Sequence, residues 1–276
     1  MVMKRHKRIA ASATTYILLI IALVWTIFPV YWMIKSSITV NSEMYVARPS
    51  LIAKHYTFEN YVDLFTKTEF PRALLNSLMI AFLTTVCCLL ISILGSYAMT
   101  RLKYPGRRFF KTSIIFSYLI PTAVLFVPMY VFVSKLGFYD NKWALLIIYP
   151  TTVVPYCCYM LMSYFKAIPY ALEEAALIDG CTRMKSLRYI ITPIALPGIA
   201  VVATFAFTMS WNEYLYAMIM TTSPAQQTAV VAISSFKYAD SAIWGRIMAA
   251  SVLTSLPVTI IYIVAQAQLI SGKSDG

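Results

Sequence analysis

Few residues in this chain are placed to do covalent chemistry. Its two histidines, His6 and His55, stand far apart, too scattered for a metal-hydrolase site. Its eight glycines fit neither GxxxxGK nor GxGxxG, so no phosphate cradle of those kinds is encoded, and no GxSxG elbow occurs. The five cysteines are two vicinal pairs, Cys87-Cys88 and Cys157-Cys158, plus Cys181. None has CxxC spacing, and the pairs sit in apolar runs, where they read as small packing residues. Glu213, in WNEY, is the one acid close to an apolar run. Counted from Pro193, about 20 residues at about 1.5 Å each reach roughly 30 Å, which puts Glu213 at a water boundary between the interfacial aromatics Trp211 and Tyr214. What remains is EEAALIDGCTRMKSLRYIITPIALPG, residues 173 to 198, whose residue types suit docking better than catalysis.

That stretch has its own punctuation. Pro169 is tolerated in the first turn of a helix, and Glu173 and Glu174 suit the positive end of the helix dipole. Asp179-Gly180 should end the helix, because glycine readily takes the left-handed conformation. Thr182 then caps a second helix with Met184, Leu187 and Ile191 on one face and Arg183, Lys185 and Arg188 elsewhere. On the first helix Leu172, Ala175, Ala176 and Asp179 share a stripe, and its two alanines let another surface come close to the backbone. A helix lying on a bilayer prefers bulky apolar residues and basic flanks, and Glu173-Glu174 would be repelled by anionic lipid. The spacing therefore predicts an elbow that docks to a soluble protein.

The elements that must position this elbow are apolar. Of 276 residues, 60% are hydrophobic and only 12% charged, about half the charged share usual in soluble domains. Six uncharged runs, 9–34, 73–100, 112–134, 143–165, 189–212 and 247–272, each exceed the roughly 20 residues that cross a bilayer as a helix. They are continuous rather than alternating, so helices and not barrel strands are expected. A seventh run, 214–236, has Thr221, Thr222, Ser223, Pro224, Gln226, Gln227 and Thr228 in its middle and is placed outside the membrane. Pro29, Pro121, Pro128, Pro150, Pro155 and Pro257 fall inside the spans, where they are expected to kink helices and leave room between them.

The net charge of +12 is distributed as an orientation signal. With the amino terminus inside, fourteen of the 23 Lys and Arg residues fall in cytoplasmic segments, around residues 4–8, 101–111, 166–188 and at Lys273. The reading is an all-α membrane protein of six transmembrane helices with both termini cytoplasmic and no nucleic-acid partner. Residues 1–8 form a basic cytoplasmic amino terminus, 9–272 the six-helix domain and 273–276 a cytoplasmic tail. Residues 166–192 form the cytoplasmic elbow, and 36–72 and 222–243 the external loops. The first run is too long for the core of a cleavable signal and is expected to stay as a helix. At Arg101 to Lys111, Pro105-Gly106 marks a tight turn between basic flanks.

Concentrating a solute a thousandfold costs about 4 kcal/mol. With no nucleotide site and no mid-membrane acid, that work must come from a partner; the alternative, a secondary carrier or channel driven by an ion gradient, requires such an acid. Glu174-Ala175-Ala176, Asp179-Gly180, Pro193 and Pro197 resemble the EAA motif of bacterial and archaeal ABC importer permeases. FPVYWMIKSS (28–37), SWNEYLYA (210–217) and SLPVTIIYIVAQ (255–266), with Asn76-Ser77, resemble its carbohydrate-uptake branch, in particular the smaller permease subunit of the maltose type. Thr192 stands where that family usually has Leu, and AQAQLISGKSDG departs from its usual ending.

The resemblance implies a type I ABC importer permease fold in the cell membrane and a transport subunit that is not itself an enzyme. Its partners would be a second permease subunit, two ATPase subunits that bind ATP and Mg, and an external solute-binding protein; the cargo would be a sugar, with a non-sugar solute as the alternative. By the same resemblance Glu174 pairs with a basic group of the ATPase, Glu173 assists, Ala175 and Ala176 line the contact, Gly180 holds the bend, and Asp179 belongs to the coupling set. The external loop from roughly Thr222 to Ile243 would reach the binding protein. No cofactor or metal is expected in this chain. Tyr118, Tyr130, Tyr149 and Tyr156 are aromatic enough to stack on sugar rings, but neither sequence nor resemblance assigns a substrate residue.

Overall fold

The computed structural model describes residues 2–46, 48–236 and 244–271, with side chains from 15 to 266 within them. Helices are the regular elements among the described residues, with one isolated bridge joining Thr39 and Tyr56. In chain order the helices are α1 (Val2–Ser37), α2 (Asn41–Met44), α3 (Glu59–Thr66), α4 (Phe70–Arg101), α5 (Arg107–Leu119) and α6 (Thr122–Lys135). There follow α7 (Leu145–Ala167), α8 (Tyr170–Ile178), α9 (Arg183–Ser186), α10 (Thr192–Ile194), α11 (Leu196–Trp211), α12 (Leu215–Met220), α13 (Ala229–Ser235) and α14 (Trp244–Ser271).

All six apolar runs are found, but two are not straight. Thr15–Ser37, Phe70–Arg101, Lys142–Ala167 and Trp244–Gln266 are continuous helices apolar enough to cross a membrane. The third and fifth runs are instead pairs, Arg107–Leu119 with Thr122–Lys135 bent by 99° and Arg183–Ile194 with Leu196–Trp211 bent by 82°, giving six spans if each pair is one. The first break has a local cause. Ile120 is extended at φ −73°, ψ 123°, as the steric demand of Pro121 on its predecessor requires. Pro29, Pro128, Pro150, Pro155 and Pro257 stay inside unbroken helices.

Two units can be described separately. The first comprises residues 1–68 and 235–253. In it Arg246 bonds Asp63 at 3.0 Å, and Asn60 donates to the carbonyls of Ser37 and Thr39 at 3.0 Å each. Residues 237–243, the end of the expected external loop, and 273–276, the expected tail, lie outside the described residues; residues 2–8 are helical in backbone.

The second unit, 69–234 and 254–276, is built on α4, α7 and α11. Small residues let α4 and α7 lie close: a Cβ on Gly95 would meet the Cys158 sulfur at 3.5 Å, and Ser96 donates to the Cys158 carbonyl at 3.1 Å. Cys88, Cys157, Leu161, Phe165, Leu187, Ile191, Val202 and Ala206 make one buried cluster, so the second arm of the elbow is rooted in the helix core. The cysteines are free, with Cys88, Cys157 and Cys158 buried as packing residues. Run 214–236 becomes α12 and α13, both too short to span. Its polar middle is clamped: Asn76 donates to the carbonyls of Ala225 and Gln227 and accepts from Lys142 Nζ at 2.7 Å, while Ser77 accepts from the amide of Ala229 at 2.8 Å.

Candidate functional site

The elbow is positioned from within the chain. Helix α8 starts after Pro169 and ends at Ile178, followed by Gly180 at φ +84°. Cys181 N donates back to the Ala176 carbonyl at 2.9 Å, closing the turn that the Asp179-Gly180 pair predicts. Thr182 accepts from Lys185 N at 3.4 Å, as its capping position predicts. A π-turn over Leu187–Ile191 then carries the chain into α10 and the bent fifth span.

The inner face of α8 is fastened to the end of α4. Tyr97 Oη donates to Glu173 Oε1 at 2.5 Å, and Arg101 Nε lies 3.7 Å from Glu173 Oε2. Arg101 also donates to the carbonyls of Phe165 and Ile168 at 2.6 Å each and lies over the Tyr170 ring at 4.1 Å. Tyr170 Oη returns a bond to the Thr100 carbonyl at 2.6 Å. Tyr97, Arg101 and Glu173 are all buried. A charge pair in such a place holds geometry, because removing either partner leaves the other buried and uncompensated.

Packing within this chain divides the stripe read from sequence, burying Ala176 and leaving Leu172, Ala175 and Asp179 exposed. Glu173 and Ala176 turn inward within this chain, at 4% and 5% exposure. The outward face carries Leu172, Glu174, Ala175, Ile178 and Asp179, with Gly180 at its tip. Among the described residues Ile178, at 85%, is the most exposed large hydrophobic side chain, and the sequence reading did not single it out. Its signal in the sequence is the three-residue spacing from Ala175, which puts both on one helix face. Met184 is exposed and does not share the face of buried Leu187 and Ile191.

Beside the elbow is a recess of about 820 Å3, lined by the α4 end, the turn after it and α8, including Lys103, Arg107, Glu174 and Arg183. Glu213 is half-buried and accepts from the amides of Tyr216 at 3.0 Å and Ala217 at 3.1 Å, so it caps α12 in addition to standing at the end of a span. Among the described residues no group of three His, Cys, Asp or Glu side chains is arranged to hold a metal.

Residues 89–273 match the family described as the binding-protein-dependent transport system inner membrane component. Similar proteins include the inner membrane ABC transporter permease protein YcjP of Escherichia coli, 34% identical over 99% of both chains. The trehalose/maltose transport system permease protein MalG of Thermococcus litoralis is 33% identical over 91% of this chain and 90% of that one. The sulfoquinovosyl glycerol transport system permease protein SmoH of Agrobacterium fabrum is 33% identical over 93% and 90%. A chain of a bacterial ABC transporter involved in the import of alginate superposes with a TM-score of 0.82 at 22% identity, covering 93% and 95% of the two chains, and shares the fold.

Proposed function

On the premise that this chain belongs to the family of binding-protein-dependent transport system inner membrane components, we propose that it is one of two permease subunits of an ATP-driven importer for a sugar or oligosaccharide. The relatives named for trehalose, maltose and sulfoquinovosyl glycerol support a carbohydrate cargo. ATP and Mg are bound by two separate ATPase subunits, and an external solute-binding protein meets the loop that begins at Thr222. The excess of Lys and Arg in the segments 4–8, 101–111 and 166–188 supports both termini on the cytoplasmic side.

The elbow is the coupling piece. The observation that carries this reading is the division of α8 into a face locked to α4 through Tyr97, Glu173 and Arg101 and a free face of Leu172, Glu174, Ala175, Ile178 and Asp179. Glu174 pairs with a basic group of the ATPase, Ala175 allows close approach, Ile178 fills an apolar pocket, and Gly180 sets the bend. Ala176 and Glu173 hold the helix from behind. Closure of the ATPases displaces the elbows, and the rigid α8–α4 connection passes that displacement to the spans, opening the path alternately to either side.

A cysteine at position 175 or 178, in a chain whose Cys181 is replaced by Ser, should crosslink to the nucleotide-hydrolysing subunit with a yield that changes on ATP binding. Crosslinks to phospholipid alone would overturn the assignment.

A further inference from the structure

The turn after α4 holds a second cationic feature that coupling does not use. Lys103, Arg107, Arg108 and Lys111 crowd the start of α5, and Lys111 has Lys166 and Arg107 as its charged neighbours. Among the described residues no carboxylate lies within ion-pair distance of any of these five. Arg107 spends its guanidinium on the carbonyls of Met99, Leu102 and Thr100, at 2.8, 3.1 and 3.0 Å, which fixes its position without neutralising its charge. Like charges held together in this way repel unless an anion joins them.

A recess of about 470 Å3 opens among them, lined by Tyr104, Gly106, Arg107, Arg108 and Lys111 and by no acid. Gly106, at φ +82°, turns the chain so that α5, thirteen residues long, starts at this recess, and the positive end of its helix dipole adds to the field. On the same turn Phe109 and Phe110 are 71% and 54% exposed, with ring centroids 5.9 Å apart. A cationic recess with an apolar lip, at the start of an apolar helix pair, matches the boundary between phosphate and acyl chain.

We propose that this recess binds the phosphodiester head group of an anionic phospholipid such as phosphatidylglycerol, with Arg108 and Lys111 contacting the phosphate and Phe109 and Phe110 lying against the acyl chains. The inference rests on the membrane reading above, and on the orientation only for which leaflet supplies the lipid. The same chemistry in a free inorganic phosphate would not explain the exposed phenylalanines, and the elbow recess, which contains Glu173 and Glu174, is not an equivalent site.

The assembled transporter is exchanged into bilayers of phosphatidylcholine alone or mixed with phosphatidylglycerol, and retained lipid is measured by native mass spectrometry. For wild type, selective retention of phosphatidylglycerol is expected. The double variant Arg108→Gln, Lys111→Gln should lose roughly 30-fold in retention, from about 1 kcal/mol per basic residue near an anionic surface and 1.4 kcal/mol per decade. Arg108→Lys, Lys111→Arg should restore it. Retention by the neutral variant close to wild type, or displacement of the lipid from wild type by inorganic phosphate, overturns the proposal. ATP-driven uptake in either bilayer bears on the permease reading alone, so the two fail separately.

Discussion

Tyr97 donates its hydroxyl to Glu173 at 2.5 Å, joining the last turns of the second span to the first turn of the elbow helix. With Arg101 on the other carboxylate oxygen and Tyr170 bonded back to the Thr100 carbonyl, α8 cannot tilt without moving the end of α4. The lever proposed for this elbow has to be stiff where it joins its load, and a buried, hydrogen-bonded acid supplies that stiffness.

Tyr97→Phe removes one donor and leaves the Glu173 carboxylate short of a partner. A loss of about 1–3 kcal/mol is expected, read as a lower melting temperature of the detergent-purified protein. Glu173→Gln, which keeps a hydrogen-bonding group but removes the charge facing Arg101, should also weaken the coupling of ATP hydrolysis to uptake. If both variants melt and couple as wild type does, the connection is not mechanical.

Ile178→Glu alters a side chain that is 85% exposed. Stability should stay within about 0.5 kcal/mol, as for most surface changes, while binding of the ATPase falls by tenfold or more if an apolar pocket receives this side chain, about 1.5–3 kcal/mol for a buried aliphatic group. Co-purification of the ATPase at graded salt reads the outcome; undiminished binding removes Ile178 from the interface.

Gly180 has φ +84°, and no heavy atom lies within 4 Å of where a Cβ would stand. Substitution is therefore opposed by backbone conformation and not by a clash within this chain. Gly180→Ala should cost about 1–2 kcal/mol, Gly180→Asn less, and Gly180→Val more. A bulky residue that preserves the bend would then report on the space left by a docked partner. Full ATPase coupling in a well-folded Gly180→Trp protein would contradict the docking geometry.

Asp140, in the loop after α6, accepts from the amide of Ser223 at 2.8 Å and from its hydroxyl, tying that loop to residues 222–228. Those bonds, the Ser223 hydroxyl first, hold its carboxyl below the usual range. Because the native value is the lower one, the stabilisation is complete above the ordinary carboxylate pKa and fades as pH falls through the native value. Protection of the 222–228 amides from hydrogen exchange should thus drop at acid pH in wild type and be low at neutral pH already in Asp140→Ala. A pH-independent pattern would show that Asn76, Ser77 and the Lys142 amide on Gln226 hold the loop without Asp140.

Much of this was legible because it depends on local physics. Run length and missing charge located four straight helices and two bent helix pairs apolar enough to cross a membrane, since a bilayer admits only helices of about that length with few ions. Pro169, Asp179-Gly180 and Thr182 marked the elbow, since caps and left-handed turns are set by the residues that form them. The bend at Ile120 was half-legible, because Pro121 excludes helix from its predecessor, while Pro128 and Pro155 stay within helices whose neighbours restrain them.

The sequence by itself therefore determined where the long apolar helices lie and where the elbow starts, bends and is capped. Only the tertiary structure decided which side of the elbow is free. Adjacent Glu173 and Glu174 are chemically identical, and a helix places them about 100° apart whatever surrounds it. Contact with Tyr97 and Arg101, some seventy residues earlier in the chain, buries one and leaves the other to the solvent. The same packing turns Ala176 inward and Ile178 outward, a choice that helical periodicity leaves open until a neighbour occupies one face.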